Sequence, residues 1–552
     1  MSTESTPPLD LTAAQDLGIS SSGLGPSFSP TISTLPDDVL GLMLQILCHK
    51  WFVDIRPNRR VPRFDFERCQ GESLLGLSLT CRALRAQILP WIFREVYNWE
   101  ASRGTVWPVS LWPYIKIVHI RDRTARDLRN LEITAETVNS LSMMPSLVKL
   151  TLRLESCIPS DVLRVISLSR SLLCFEIHQA RFDGEFSSSS LSFPALETLV
   201  MSTAGFWGVV GQDDVERPEQ AFVVDSLLKA VSDRLTELRI SGDLISTTFP
   251  SIAWSRLRKL AITEHPPTPY IPVCDIVSNM PVLRHLEVLY TLDITGEDAR
   301  RRRIFPSFYL GDESGRALSD SCPLLSVISL GNLLPSDPIF AQLPPRLPSF
   351  HLRAPVDPYN YVKGFPHHAS RPFNEHTLPC VLPRLRHLQD LKELCLDLES
   401  FVHAALIHHI GLALPRIEVL EFGLPRYPCM SSPSRFNPAD RNPTILTALN
   451  LFSHLLHLRI VMDFPVIYFD RRYPREVTAQ WFLRGVPTLQ TVSFAEMTDI
   501  YRSGFQEVSW DRWDRGVFDF VVPTSPPTPP PPPPKPFPVT QTLPLPAWKR
   551  IA

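Results

Sequence analysis

The stretch Leu147-Val148-Lys149-Leu150-Thr151-Leu152 carries the pattern that decides the fold. Apolar residues stand at its first, fourth and sixth positions. The last two alternate with one outward residue, as in a short half-buried strand, while the first caps the turn that leads into the strand. One such strand buries little apolar surface alone, so its meaning depends on whether the pattern recurs.

The pattern recurs through most of the chain, and half the intervals between successive copies fall in the low to middle twenties, the range of leucine-rich repeats. Helical patterns separate several copies, over residues 160–166, 224–231, 401–414 and 444–452. A strand, a turn and a helix per unit predict an α/β solenoid with a parallel sheet on one face. Chance leucines in an unrelated α/β fold are the alternative. Clear copies begin at Leu147, Leu196, Leu235, Leu257, Leu283, Leu391, Ile417 and Leu455, and weaker ones at Ile115, Leu172, Leu325, Leu347 and Leu489.

In each copy, the residue between the two strand apolar positions points to the open face of the sheet. These residues mix both charge signs with polar groups, which favours a protein ligand over a nucleic acid. We predict target binding at Arg239, Glu287, His351, Glu421 and Arg459, although for any single residue a merely solvated sheet face is the simpler interpretation. The row is His119, Thr151, Glu176, Val200, Arg239, Ala261, Glu287, Ser329, His351, Cys395, Glu421, Arg459 and Ser493.

A second apolar region lies upstream and forms two short helical patterns. Together they carry more apolar surface than a small unit can bury, which indicates a protein partner. An ordinary helical hairpin of the main domain is the alternative. The helical spacing holds for Leu35, Val39, Met43 and Ile46 in the first piece and for Leu74, Leu77, Cys81, Leu84, Ile88 and Ile92 in the second.

These two blocks resemble the F-box family, and with the repeats the chain resembles fungal F-box proteins with degenerate leucine-rich repeats. The resemblance implies a three-helix module that docks onto the Skp adaptor subunit of a cullin–RING ubiquitin ligase. The segment at 50–72 is longer than the family pattern, and Leu84 stands where many members carry Trp. Residues that match the family's docking positions are Leu35, Pro36, Val39, Leu40, Leu77, Cys81 and Leu84.

Composition limits the class of protein. Lysine plus arginine (55) nearly balances aspartate plus glutamate (57), so no global charge draws the chain to nucleic acid or to an anionic membrane. The ten cysteines are scattered singly and predict buried thiols in a reducing compartment, rather than a disulfide frame or zinc cluster. Residues 1–30 lack the order of a signal peptide, and no apolar run is long enough to cross a bilayer. We therefore expect a cytoplasmic or nuclear protein.

No catalytic motif is present, and the sequence predicts neither a cofactor nor a metal site. Glycine-rich phosphate loops and a Gly-x-Ser-x-Gly elbow are lacking. An enzyme that uses the histidine clusters is a remote alternative, because no carboxylate or cysteine completes a cluster at ligand spacing. The clusters are His367 with His368, His403 with His408 and His409, and His454 with His457, the last pair sharing a face if helical.

The sequence thus predicts four parts: a disordered leader (1–30), an F-box-like module (31–97), a leucine-rich-repeat horseshoe (98–505), and a cap followed by a disordered proline-rich tail (506–552). The tail is either an SH3 or WW ligand or a stiff spacer. The expected function is a non-catalytic substrate receptor, bound to Skp, through it to a cullin, and to an unidentified target protein. The alternative is a leucine-rich-repeat scaffold without a ligase.

Overall fold

A computed structural model of the chain divides into two compact units, Met1–Arg94 and Glu95–Ala552. In the first unit, residues 85–86 and 88–90 are helical and Ile88 is fully buried. The three-helix F-box module stays a prediction, because its docking residues lie outside the described part of the chain: Leu35, Pro36, Val39, Leu40, Leu77, Cys81 and Leu84. The structure describes residues 85–86, 88–90, 93–98, 107–121, 135–154, 157–178, 181–183, 190–203, 217–264, 266–267, 269–290, 318–331, 333–353, 373, 376–398, 404–423, 443–462, 472–496 and 518–521.

The second unit is built on one sheet of 15 strands, of which the first 14 run parallel to their neighbours. Every one of the 13 pattern copies ends in a strand of this sheet, so the predicted parallel α/β architecture is confirmed. The strands are β1 (Glu95–Asn98), β2 (Ile117–Arg121), β3 (Lys149–Arg153), β4 (Cys157–Pro159), β5 (Cys174–His178), β6 (Arg181–Asp183), β7 (Thr198–Ser202), β8 (Glu237–Ser241), β9 (Lys259–Glu264), β10 (His285–Tyr290), β11 (Val327–Gly331), β12 (Ser349–Arg353), β13 (Glu393–Asp397), β14 (Val419–Gly423), β15 (His457–Met462), β16 (Thr491–Glu496) and β17 (Phe518–Val521).

Helices fill the connections between strands, and the four helical patterns of the sequence each coincide with one, namely α2, α3, α8 and α9 below. Within the described ranges, no helix is both long and apolar enough to cross a bilayer. The α-helices are α1 (Ala135–Met143), α2 (Ser160–Ser167), α3 (Arg217–Val231), α4 (Val273–Ile276), α5 (Leu318–Ser321), α6 (Ile339–Gln342), α7 (Leu378–Val381), α8 (Ala404–Ala413), α9 (Pro443–Leu449) and α10 (Arg472–Gly485).

The core forms because the three apolar positions of each repeat stack on those of the next. Leu150, Phe175, Leu199 and Leu238 are register partners on successive strands, and none has any exposed surface. Each apolar row is therefore shared by neighbouring repeats, so no single strand needs a complete core of its own.

Main-chain hydrogen bonds join the repeats where each strand starts. The carbonyl of Lys116 accepts from the amides of both Val148 and Lys149, at 2.8 and 3.0 Å, and the same arrangement returns at repeat after repeat. We call this the carbonyl ladder. At Pro348 the first donor is missing because proline has no N–H, and only Ser349 donates, at 3.2 Å. Main-chain groups thus add a second connection between repeats beside the stacked apolar side chains.

Four strands escaped the sequence pattern. In β1, Phe93-x-x-Val96 supplies the first two apolar positions, but Asn98 occupies the third, so the sheet begins at Glu95 rather than at residue 98. The strand β17, within the segment predicted to hold a cap, pairs antiparallel with β16. The short strands β4 and β6 form a separate parallel pair.

Candidate protein-binding face

The strand register brings the outward residues of the pattern into one continuous row, which we call the central row. Each member is the register partner of the next, from Tyr97 through His119 and Thr151 to Arg459 and Ser493. All five predicted target-binding residues stand in it. Partners on neighbouring strands lie about 4.8 Å apart, so adjacent side chains of the row are within contact distance.

Burial varies along the central row, which the alternation pattern alone did not predict. Arg239, Glu287 and His351 are half-buried, and Arg459 is exposed. Glu421, in contrast, retains only 7% of its surface. The short side chains of Ala261, Ser329 and Cys395 are also buried, at 4%, 3% and 1% exposure, between longer neighbours in the row.

One polar group on the face, which we call the β5 cluster, consists of Lys149, Thr151, Cys174, Glu176 and His178. Glu176 accepts from Lys149 Nζ at 2.7 Å and from Thr151 Oγ1 at 2.9 Å, while His178 Nε2 lies 3.9 Å away. Burial alone would raise the pKa of Glu176, but His178 and Lys149 hold it at about 2. Burial raises the pKa of the Cys174 thiol to about 11. The Lys149 ammonium group therefore supplies the positive charge that balances the Glu176 carboxylate.

A second group, the β13 cluster, centres on an ion-pair network across β12 to β15. Arg353 Nη1 lies 2.8 Å from Glu421 Oε1 and 3.5 Å from Asp397 Oδ1. Arg459 Nη1 approaches the other Glu421 oxygen at 3.3 Å. Burial would raise the pKa of Glu421, but the two guanidinium groups hold it below its usual value. Burial would likewise lower the pKa of Arg353, and the charges of Asp397 and Glu421 reverse that shift.

The same cluster includes His351, Glu393 and Cys395, whose ligand atoms all lie within 4.8 Å of one another. Ser349 donates to Glu393 Oε2 at 2.9 Å and shares a 2.8 Å hydrogen bond with His351 Nε2, while Ser329 bonds His351 Nδ1 at 3.0 Å. The neighbouring His351 lowers the pKa of Glu393 to about 2, although burial opposes it. Burial raises the pKa of the Cys395 thiol far above its usual value.

Sequence reasoning missed this trio because His351 and Cys395 belong to different repeats. Only the register of β12 against β13 makes them partners. The signal was present in the central row, where the two are consecutive members, with Glu393 one alternation before Cys395 on the same face.

The histidine pairs noticed in the sequence do not form a shared site in the described residues. His454 lies in a turn and His457 begins β15, where it bonds Thr491 Oγ1 at 2.7 Å, so the two do not share a helix face. His408 and His409 are exposed on α8. His367, His368 and His403 lie outside the described residues.

Fold and face together define a solenoid-like α/β repeat protein with a polar sheet face. No protein-family model and no curated protein matches the sequence. Among solved structures, the chain is similar to one from the crystal structure of the Rad7 and Elc1 complex in yeast, at 12% identity and a TM-score of 0.32. The match covers 84% of this chain and 96% of that chain. A likeness at this level carries no argument about function.

Proposed function

We propose that the chain is the substrate receptor of a Skp–cullin–F-box ubiquitin ligase, acting in the cytoplasm or nucleus. In this proposal the segment at residues 35–94 docks the Skp adaptor, and the central row holds a target protein. The chain performs no bond chemistry itself. It raises the effective concentration of target lysines near a ubiquitin-charged enzyme.

The observation that carries the target-binding half is the in-register central row. Its charged members carry both signs, with Glu176, Arg239, Glu287, Glu421 and Arg459 in that order along the strands. A nucleic-acid surface would repeat lysine or arginine to neutralise phosphates. Charges of both signs beside hydroxyl groups suit a folded protein surface with complementary charges.

The adaptor half is supported by the sequence blocks at residues 35–47 and 74–84. Because the sheet lies within a compact unit of its own, Glu95–Ala552, binding without a ligase is the second candidate. The two candidates share the same face and differ only in whether Skp associates with the chain.

A pull-down of the full-length chain with the Skp subunit separates them. We expect Leu40→Asp with Cys81→Asp to abolish Skp capture, because two charges would enter the apolar docking surface. Glu287→Arg, which reverses one charge in the central row, is the control and should leave Skp capture intact. If the double variant still captures Skp as the parent does, the ligase half of the proposal is wrong.

Proximity labelling in cells tests the other half. Partners lost on deleting residues 1–94, which leaves β1 and the rest of the sheet in place, belong to the ligase, and partners retained belong to the sheet. We expect Glu287→Arg to remove at least one retained partner. An unchanged set of retained partners would contradict a role for the central row.

A further inference from the structure

We propose that His351, Glu393 and Cys395 bind a zinc ion on the sheet face, with a fourth coordination position open to water. This site does not depend on the ligase proposal, since all three ligands lie on β12 and β13 within the second unit.

The backbone already sets the ligands in place. His351 and Cys395 are register partners on adjacent parallel strands, and Glu393 lies two residues before Cys395 on the same face. Because both strands are interior to the sheet and their apolar neighbours Phe350 and Leu394 are fully buried, the side chains project from a rigid support.

With one ligand atom from each residue, the three atoms lie within 4.8 Å of one another. His351 Nε2 lies 3.9 Å from Glu393 Oε2, and Cys395 Sγ lies 3.9 Å from the other oxygen, Oε1. Zinc bonds of about 2.0 to 2.3 Å in a tetrahedron separate their ligands by roughly 3.3 to 3.6 Å. Side-chain rotations that bring the three atoms about 1 Å closer therefore complete the geometry. Imidazole nitrogen, carboxylate oxygen and thiolate sulfur are all ligands that zinc accepts.

An outer shell is also present. The single proton of the Ser349 hydroxyl goes to Glu393 Oε2, so with a neutral imidazole Ser349 accepts from His351 Nε2–H and Ser329 donates to Nδ1. When zinc takes Nε2, the imidazole proton moves to Nδ1 and is donated to Ser329 Oγ. Such a bond from the second ring nitrogen is the usual support for a zinc-bound histidine.

The charge of Glu393 favours a cation here, since the nearest guanidinium among the described residues, that of Arg459, lies 3.8 Å from its Oε1. Zinc binding releases the Cys395 thiol proton to solvent, so the ion's two positive charges offset the new thiolate and the Glu393 carboxylate. In the β5 cluster, by contrast, Lys149 Nζ already sits 2.7 Å from Glu176.

The test is a Co2+ titration of the full-length chain, since Co2+ reports zinc-type coordination by absorption. We expect one equivalent to produce a thiolate-to-cobalt charge-transfer band that added Zn2+ removes. Cys395→Ser should lose the band, and Glu393→Gln, which keeps side-chain volume, should weaken Co2+ binding at least about tenfold. Cys174→Ser, the same change in the β5 cluster, is the matched control and should retain the parent spectrum.

Two further readouts distinguish a built site from scattered thiols. Ser329→Ala should weaken Zn2+ binding roughly tenfold, because it removes only the outer-shell hydrogen bond. Affinity should rise about tenfold per pH unit near neutrality, because one thiol proton is released. The proposal is wrong if the parent gives no thiolate band, or if the band survives in Cys395→Ser. Should that variant not fold, an unchanged affinity in Glu393→Gln would overturn the proposal by itself.

Discussion

The β5 and β13 clusters place the same three residue types, cysteine, glutamate and histidine, on one face of one sheet, yet their electrostatics differ. In the β5 cluster, Lys149 contributes a cation at 2.7 Å from Glu176. In the β13 cluster, Glu393 has its nearest guanidinium, from Arg459, at 3.8 Å, while Arg353 is committed to Asp397 and Glu421. In the β5 cluster, Lys149 therefore balances the charge of Glu176. In the β13 cluster, the Glu393 carboxylate can instead bind an external cation.

The difference shows that residue content does not define a site on a repeat surface. Whether a carboxylate can bind an external cation depends on the residue that the neighbouring strand places beside it, and therefore on the strand register. Lys149 comes from the strand before Glu176, whereas Ser349, a short hydroxyl, occupies the neighbouring strand opposite Glu393.

The largest expected effect is the loss of Arg353. Arg353→Met would remove the guanidinium that pairs with both Asp397 and Glu421, whose side chains are 11% and 9% exposed. We expect the free energy of unfolding to fall by about 3 to 5 kcal/mol, the usual penalty for breaking a buried ion pair. Urea unfolding followed by circular dichroism measures it.

The matched variant for that experiment is Lys149→Met, in the β5 cluster. Its ion pair is more exposed, with side-chain exposures of 32% for Lys149 and 20% for Glu176, so we expect a loss of roughly 1 kcal/mol. Equal losses in the two variants would show that the clusters do not differ as described.

Acid stability is the second test. The pKa values of Glu176 and Glu393 are each lowered from 4.5 to about 2 in the folded chain. Each carboxylate therefore stabilises the fold above about pH 4.5, and that contribution is lost as the pH falls toward 2. As the pH falls through this range, the free energy of unfolding should therefore decrease less in Glu176→Gln and in Glu393→Gln than in the parent chain.

Removing the cation beside each carboxylate should have different effects on acid stability. Lys149→Met should also reduce the acid-induced decline in the free energy of unfolding, since Lys149 is a main cause of the lowered pKa of Glu176. Arg459→Gln should flatten that decline less, because His351 is the largest cause of the lowered pKa of Glu393. The opposite order would contradict the assignment of partners.

The smallest predicted effect concerns the positive charge of Arg459 beside Glu393. Arg459 is half exposed and lies 3.8 Å from Glu393 Oε1, so Arg459→Gln should tighten Zn2+ binding by about threefold to tenfold, for a repulsion of roughly 1 kcal/mol. Competition with a chromophoric chelator gives the affinity. Lys259→Gln removes a similar cation, paired with Glu237, and should leave it unchanged. Weaker binding in Arg459→Gln would mean that Arg459 supports the ion rather than repelling it.

The sheet was predictable because its signal is local. Even the weak copy at Leu172 became a strand, since Phe175 and Ile177 still occupy the two inward positions. The orientation of the central-row side chains toward the open face of the sheet followed from the same alternation. In β1, Asn98 in place of the last apolar residue hid the pattern, and β17 has no repeat to mark it.

The candidate site was less predictable because its parts meet only through register. Nothing within β12 or β13 alone specifies that Ser349 stands opposite Glu393, or that His351 stands opposite Cys395. Burial of Glu421 depends on Arg353, two strands away, and on Arg459. A local pattern cannot encode such long-range pairings, whereas a complete strand alignment can.

The carbonyl ladder affects which substitutions the sheet can tolerate. Carbonyls such as that of Lys116 join each repeat to the next by accepting from main-chain N–H groups, which every residue except proline possesses. Substitutions at exposed positions of the central row, such as Arg459, therefore leave those main-chain bonds intact. Pro348, where one donor is missing, shows that the ladder tolerates the loss of a rung. The binding surface and the main-chain bonds between repeats are thus carried by different atoms.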